Sequence, residues 1–359
     1  MTLEEIIKHK IQLNGPLPFR DYMEMCLYYP GMGYYNSPCT RIGKNGDYYT
    51  LPYLSSLFGQ LVARQLEEMW TLLGKKTFTV LEFGAGNGLL CRDILESAGK
   101  NEEFFKNLTY CIIEKNPFFE QQQRSVLPGQ VRWHKDISSI KKMEGCILSN
   151  ELVDNFSIHQ VVMRDQLMEV YVDYQDGKFI EILQPANPLL INYFNELDVV
   201  LPLGFRTEVN LEAISWLKDV SAILQKGYLI TVDYGFPSAE LYKDYRRTGN
   251  LVCYHRHRIN FSPYLNIGLQ DITTHVNFSA LNHWGLKHGL CLAGYTNQAQ
   301  FLLGLGIVNY IRSFPQLVSR DNFLKTWLLD MGKKMKILIQ QKNTIQSFLS
   351  GLQFSERLS

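Results

Sequence analysis

The chain has no cysteine pair at metal-binding or redox spacing. Its seven cysteines (Cys26, Cys39, Cys91, Cys111, Cys146, Cys253 and Cys291) include no Cys-x-x-Cys. An odd, scattered set suits neither a disulfide framework nor a zinc site, so these residues read as reduced, mostly buried thiols and no metal is expected. Charge of one sign is also lacking: 36 basic side chains face 35 acidic ones, a net charge of +1. No global field therefore draws the chain to nucleic acid or anionic lipid; any such binding would have to be local, and no specific nucleic acid binding is expected. No stretch approaches the ~18 uninterrupted apolar residues that a membrane-spanning helix needs. The opening residues Met1-Thr2-Leu3-Glu4-Glu5 carry acid where an export signal carries base. These absences place the protein in the cytoplasm. No repeat or low-complexity tract is visible.

Hydrophobic residues make up 46% of the 359 positions and charged residues 20%, which is globular usage with enough apolar surface for a sizeable core. Apolar residues at Leu3, Ile6, Ile7 and Ile11 have helical spacing, broken by Asn14-Gly15-Pro16, and a second helix starts near Phe19. The stretch from Phe19 to Tyr53 is dense in Tyr and Phe, which suits core packing or a cleft wall. A further amphipathic helix runs from Phe58 to Leu73. Short apolar, β-branched runs then alternate with helical spacing. Thr77 to Glu82 stops at glycines, Tyr110 to Glu114 ends in acid, Gln130 to His134 leads to Asp136, and Gly145 to Asn150 is followed by Glu151. Tyr228 to Asp233 repeats the form later. Strands alternating with helices imply a doubly wound α/β sheet with right-handed crossovers. Residues 160–224 interrupt the alternation with strand-like runs around Gln175-Asp176-Gly177, a turn. From Thr296 to about Ile345 the pattern is helical, and Ser347 to Ser359 has little to hold it and is expected to fray.

In doubly wound sheets the ligand sits beyond the carboxyl ends of the strands. The residues there are Gly84 to Gly88, Glu114, Asp136, Asn150 and Glu151. Small residues let backbone approach a ligand closely, and the helix starting near Gly88 offers unpaired N–H groups to a carboxylate. The spacing separates two cofactor classes. A dinucleotide turn has the form Gly-x-Gly-x-x-Gly, which would put a third glycine at Leu89; here the pattern is Gly84-x-Gly86-x-Gly88. Glu114 ends the second strand, where a carboxylate can accept both ribose hydroxyls in either class. Each acid taken alone is equally well a solvated strand-end charge. The glycine spacing resembles motif I of class I S-adenosylmethionine (SAM) methyltransferases. That resemblance puts Glu82 near the methionyl amino group, Gly84, Ala85, Gly86 and Gly88 along the amino-acid portion, and Asp136, with Ile137 beside it, at the adenine.

The segment Ser149-Asn150-Glu151-Leu152-Val153-Asp154-Asn155-Phe156-Ser157-Ile158-His159 resembles the MidA-type SAM-dependent methyltransferases. So do Gly15-Pro16-Leu17, Leu27-Tyr28-Tyr29-Pro30, Gly33-Tyr34-Tyr35, Gly46-Asp47-Tyr48-Tyr49-Thr50, Gly268-Leu269-Gln270-Asp271-Ile272-Thr273 and Thr296-Asn297-Gln298. The likeness spans roughly residues 15–340; Leu51-Pro52-Tyr53 and Asn277 depart from the family's pattern. Mitochondrial members of that family assist respiratory complex I assembly as protein-arginine methyltransferases. The resemblance implies a class I, Rossmann-like methyltransferase sheet and SAM as cofactor, with a methyl-acceptor protein as partner. Small-molecule O- or N-methylation, or SAM binding by an assembly factor without turnover, are the alternatives. Glu151 and Asp154 are the candidate carboxylates for orienting a guanidinium, Asp154 being equally a helix cap. His159 is a candidate proton shuttle and equally a hydrogen-bonded structural residue. Asp47, Tyr48 and Thr50 are cleft candidates. The basic run Tyr254-His255-Arg256-His257-Arg258 reads as a solvated strand end or a partner for carboxylates. The expected organisation is a helical, aromatic cover over 1–75, a SAM-binding core over 76–159 and 225–345, an inserted β-rich element over 160–224, and the tail 346–359.

Overall fold

The structure is a computed structural model that describes residues 1–38, 47, 51–313, 325–345 and 347–358. Seven strands form the body of the central sheet: β1 (Phe78–Phe83), β2 (Leu108–Ile113), β3 (Arg132–His134), β4 (Met143–Asn150), β5 (Leu224–Phe236), β6 (Cys291–Asn297) and β7 (Met335–Lys342). Their order across the sheet is β6-β7-β5-β4-β1-β2-β3. All pairings from β5 to β3 are parallel, and β7 alone runs against its neighbours. Chain order reverses between β1 and β4, so their carboxyl ends open into a crevice.

The strands read as apolar runs because both faces are covered. On one face the helix Leu57–Leu72 lies against the helix Leu89–Ala98, with Val80, Cys146 and Ile230 beneath. On the other, the helices Leu211–Ile223 and Phe278–Lys287 cover Leu81, Ile147 and Leu229. Fully burying a Leu or Ile side chain contributes about 1.5–3 kcal/mol, so dozens of such residues outweigh any single polar contact in holding this frame. Among the described residues no helix is long and apolar enough to cross a membrane.

A second, antiparallel sheet joins Leu17–Pro18, Leu167–Gln175, His159–Met163 and Arg206–Val209 in that order, with Lys178–Pro185 on Leu167–Gln175. Asp176 and Gly177 make its tightest turn, both with positive φ (50° and 80°), as a two-residue primed hairpin requires. The helices Leu3–Asn14 and Phe19–Tyr28 pack on this sheet through Ile7, Phe19 and Met23 against Val170 and Val172. The N-terminal segment and the insertion therefore form one layer. The insertion also ends earlier than residue 224: the helix Leu211–Ile223 buries Trp216, Leu217 and Val220 against the central sheet.

Two local expectations are corrected and a third is met. Residues 335–342, within the stretch whose pattern predicts helix, form β7, with Ile337, Leu338 and Ile339 wholly buried between β5 and β6. A short continuous apolar run cannot be told from a buried helix by periodicity. The tail does not fray either. Leu349 and Leu352 are buried, Ser350 N donates to Glu68, and Glu356 N donates to Tyr295 O at 2.7 Å. The basic run at 254–258 is the turn of a hairpin between Val252–His255 and Arg258–Asn260, completed by Asp271–Thr273 into a three-stranded sheet. There the backbone N–H of Arg256 donates to the Asp47 carboxylate.

Candidate functional site

A cleft of about 530 Å³ opens at the carboxyl ends of β1, β2, β3 and β4, a size ordinary for a cofactor with its substrate group. Its floor is Glu82, Phe83 and the turn Gly84–Asn87; one side is Ile113 to Asn116 with Asp136 and Ile137, and the other is Asn150 to Leu152. Tyr28, Tyr35 and Asn36 of the N-terminal layer form the opposing wall, with Trp216 of the helix Leu211–Ile223.

The glycine turn has φ values of 64°, 54° and 79° at Gly84, Gly86 and Gly88, a region in which other residues are strained. Gly84 and Gly86 line the cleft with Ala85. Gly88 does not. It caps the helix Leu89–Ala98, and a Cβ there would lie 3.3 Å from the Leu127 side chain, so its role in the structure is close packing.

Glu82 is buried beneath the turn and accepts from Tyr110 OH at 2.8 Å. Burial pushes its carboxyl up to about 7 against that hydrogen bond. Glu114 is held by Asn116 N and Gln123 Nε2, both at 2.9 Å, and burial raises it too. Asn116 caps the helix Pro117–Val126 with a proline at its start. Asp136 lies at the solvent side of the cleft, lowered by hydrogen bonds from Ser138 that close a short 3₁₀ turn. Burial thus raises two of the crevice's acids while the turn at Ser138 lowers the third.

Asn150 and Glu151 face the cleft after β4. Glu151 takes a positive φ of 51°, donates its N–H to Val232 O and accepts from Asn150 Nδ2. Burial and the neighbouring Asp233 push its carboxyl up to about 8. Asp154 does not reach the cleft. It is buried under the loop, accepts from Asn155 Nδ2 at 3.0 Å, and burial with Asp233 and Asp271 raises it well above the carboxylate range. His159 is also elsewhere: its Nδ1 is 2.6 Å from Glu169 Oε1 within the antiparallel sheet, because one step along that strand turns the side chain away from the crevice. Asp47 is buried against the hairpin turn and Tyr34 OH, off the cleft, while Tyr48 and Thr50 lie outside the described residues. Asn277 caps the helix Phe278–Lys287 and donates to Tyr193 OH and Tyr242 OH, away from the cleft.

Two groups of residues escaped the sequence reading. Asp233, three residues before the end of β5 at Phe236, accepts the backbone N–H groups of Leu152, Val153 and Asp154 on one oxygen at 3.2, 2.9 and 3.3 Å. Burial raises it to about 7 despite them. The rule that singled out Glu114, an acid closing a strand, applies to it equally. Tyr28 and Tyr35 reach the loop after β4 from the N-terminal layer, donating to Asn155 O at 3.0 Å and to Asn155 Oδ1 at 2.7 Å. Nothing local in sequence signals a contact across 120 residues.

Residues 61–296 match a family of S-adenosyl-L-methionine-dependent methyltransferases. A Burkholderia thailandensis methyltransferase crystallised with S-adenosyl-homocysteine (SAH) is 30% identical, with a TM-score of 0.89 over 99% of this chain and 95% of that one. The human protein arginine methyltransferase NDUFAF7, mitochondrial, is 25% identical over 84% of this chain and 72% of its own length. Its Caenorhabditis elegans homologue is 24% identical over 97% and 88%. Both relatives are mitochondrial proteins, which overturns the cytoplasmic placement.

Proposed function

The chain belongs to the S-adenosyl-L-methionine-dependent methyltransferase family, and from that premise we propose that its methyl acceptor is the guanidinium of an arginine in a protein. The carrying observation is the carboxylate group at the acceptor side of the cleft. Glu151 faces the cavity, with Asp154, Asp233 and Asp271 behind it, and the charges acting on Glu151 are other carboxylates. Such a set is strained when all are ionised and relaxed by a cation. An arginine fork is the cation whose planar donors match a carboxylate. The names of the curated relatives point to the same acceptor.

The cleft's residues fit the cofactor. Gly84 sits at φ 64°, and an added Cβ would lie 3.1 Å from Leu152 Cδ1, so glycine suits this place in the cleft floor. Glu82, buried with its carboxyl held near 7, suits a cationic amino group, and Glu114 suits two ribose hydroxyls, with Asp136 and Ile137 toward the base. Bound SAM supplies an electrophilic methyl group on a sulfonium.

The protein's own part is positioning and one proton. Without acceptor, Glu151 holds a proton at neutral pH. An entering guanidinium lowers its affinity for that proton, and the carboxylate then orients the nitrogen. As the N–C bond forms and the S–C bond breaks, the nitrogen sheds a proton to Glu151 Oε, from which it leaves to solvent. Incubating the protein with methyl-labelled SAM and a cell lysate, then hydrolysing the labelled protein, tests this. Label in methylarginine is expected. Label confined to small molecules, to other residues, or to nothing would overturn it.

A further inference from the structure

A series of hydrogen bonds, linked through the residues Asn116, Tyr35 and Asn155, runs from the proposed ribose carboxylate to the backbone of Glu151. Asn116 donates its N–H to Glu114 Oε1 at 2.9 Å and its Nδ2 to the backbone oxygen of Tyr35 at 2.6 Å. Tyr35 OH shares its proton between Asn155 Oδ1 at 2.7 Å and Asp271 Oδ1 at 2.9 Å. Asn155 Nδ2 donates to Glu151 O at 3.1 Å and to Asp154 Oδ1 at 3.0 Å. These two acceptors fix the amide's orientation, which leaves its oxygen to Tyr35. Tyr35 has two further contacts, its N–H donating to Leu27 O at 2.8 Å and its ring stacking on Tyr28 at 5.6 Å.

We propose that Tyr35 is a positioning residue that transmits occupancy of the ribose site to Glu151. The chemical reason is that Asn116 is held at both ends of its side chain. Its oxygen accepts from Phe118 N at 2.9 Å while its nitrogen donates to the Tyr35 backbone oxygen, so ordering Glu114 orders Asn116 and, through that backbone contact, the residue that carries the phenol. Glu151 sits at a positive φ that its neighbours must maintain. Asn155 is one of those neighbours, and Tyr35 sets where Asn155 lies. A cofactor in place thus presents the acceptor carboxylate in its working position, and an empty site leaves it less ordered. This rests on Glu151 as the acceptor group, but its test needs no acceptor.

Adenosine carries the ribose and base without the methionine, so it reaches Glu114 and not the loop after β4. Amide hydrogen exchange in the full chain is measured with and without saturating adenosine, in wild type and in Tyr35→Phe. That change removes the two phenol bonds and keeps the stacking and the backbone oxygen that Asn116 uses. In wild type, adenosine is expected to slow exchange at Glu151 to Asn155 on the order of tenfold. In Tyr35→Phe, adenosine affinity and protection at Glu114 to Asn116 are expected to persist while protection at 151–155 disappears. A purely structural tyrosine would raise exchange equally with and without adenosine. Equal protection in both proteins, no protection in wild type, or adenosine affinity unaffected by Glu114→Ala would each overturn the proposal. A protein that passes this test but methylates no arginine would refute the acceptor reading alone.

Discussion

Replacing Glu151 by Gln is the sharpest perturbation of the acceptor site. The amide has the same shape and keeps an oxygen for Asn150 Nδ2, but it neither carries charge nor takes a proton. Burial and Asp233 put the Glu151 carboxyl at about 8 against an ordinary 4.5, a difference on the order of 4–5 kcal/mol between its two protonation states. A cationic acceptor recovers part of that, and losing one such preorganised contact in a transition state costs roughly 2–4 kcal/mol, or a fall in kcat of about 30- to 1000-fold. SAH affinity, read by calorimetry, is expected to stay near wild type, because the residue faces the acceptor. The pH profile carries a second signature. Wild-type kcat/KM should climb with pH up to about 8 as the free carboxyl loses its proton, and the Gln variant should lack that limb. Stability should show the opposite sign. A carboxyl whose folded value is raised retains its proton after the unfolded chain has lost it, so its contribution is full below pH 4.5 and is lost as pH rises through 8. The variant's melting temperature should therefore fall less than wild type's between pH 5 and 8. Unchanged turnover on an arginine-containing acceptor, or loss of SAH binding, would remove Glu151 from the acceptor role.

Glu114→Ala is expected to weaken SAM by about 100-fold or more through two lost hydrogen bonds to a charged group and, because it removes the start of the path to Glu151, to lower kcat at saturation as well; calorimetry and kinetics together check it. Gly86→Val forces a β-branched residue to φ 54°, so SAH titration should show no binding in a variant whose circular dichroism is native-like. Asp233→Ala leaves three backbone N–H groups without their acceptor and should destabilise by roughly 3 kcal/mol or more in chemical unfolding, whereas Asp233→Asn keeps an oxygen there and should recover most of it. Equal stability of the two variants would show that the loop is held by something else.

The parallel half of the sheet was legible because each strand pairs a β-branched run with a stop of fixed chemistry: glycine after Glu82, acid at Glu114, Asn-Glu after Ser149. The cofactor class followed from one residue's difference in glycine spacing. What was not legible is what depends on direction and distance. Glu151, Asp154 and His159 lie within nine positions, yet only the first faces the cleft, since a turn at positive φ and the pleat of the next strand send the others elsewhere. Asp154 and His159 found their partners in Asn155 and Glu169 instead. β7 offered an apolar run with no periodicity to read, and the tail's anchors, Glu68 and Tyr295, are distant in sequence. The pairing of Leu17–Pro18 with Leu167–Gln175 likewise has no local signature.

The position of β7 bears on how the protein is made. Among the described residues β6 pairs within the central sheet with β7 alone, and β7 separates it from β5. A ribosome releases β6 some 40 residues before the strand that will hold it. Until residues 335–342 emerge, β5 presents an unpaired apolar edge from Gly227 to Tyr234, a template for pairing with any other nascent strand. Synthesis interrupted before residues 335–342 would therefore yield a chain with most of its cleft and an adhesive flank, a species for chaperones or proteases and one that a cell has reason to clear before it finds company.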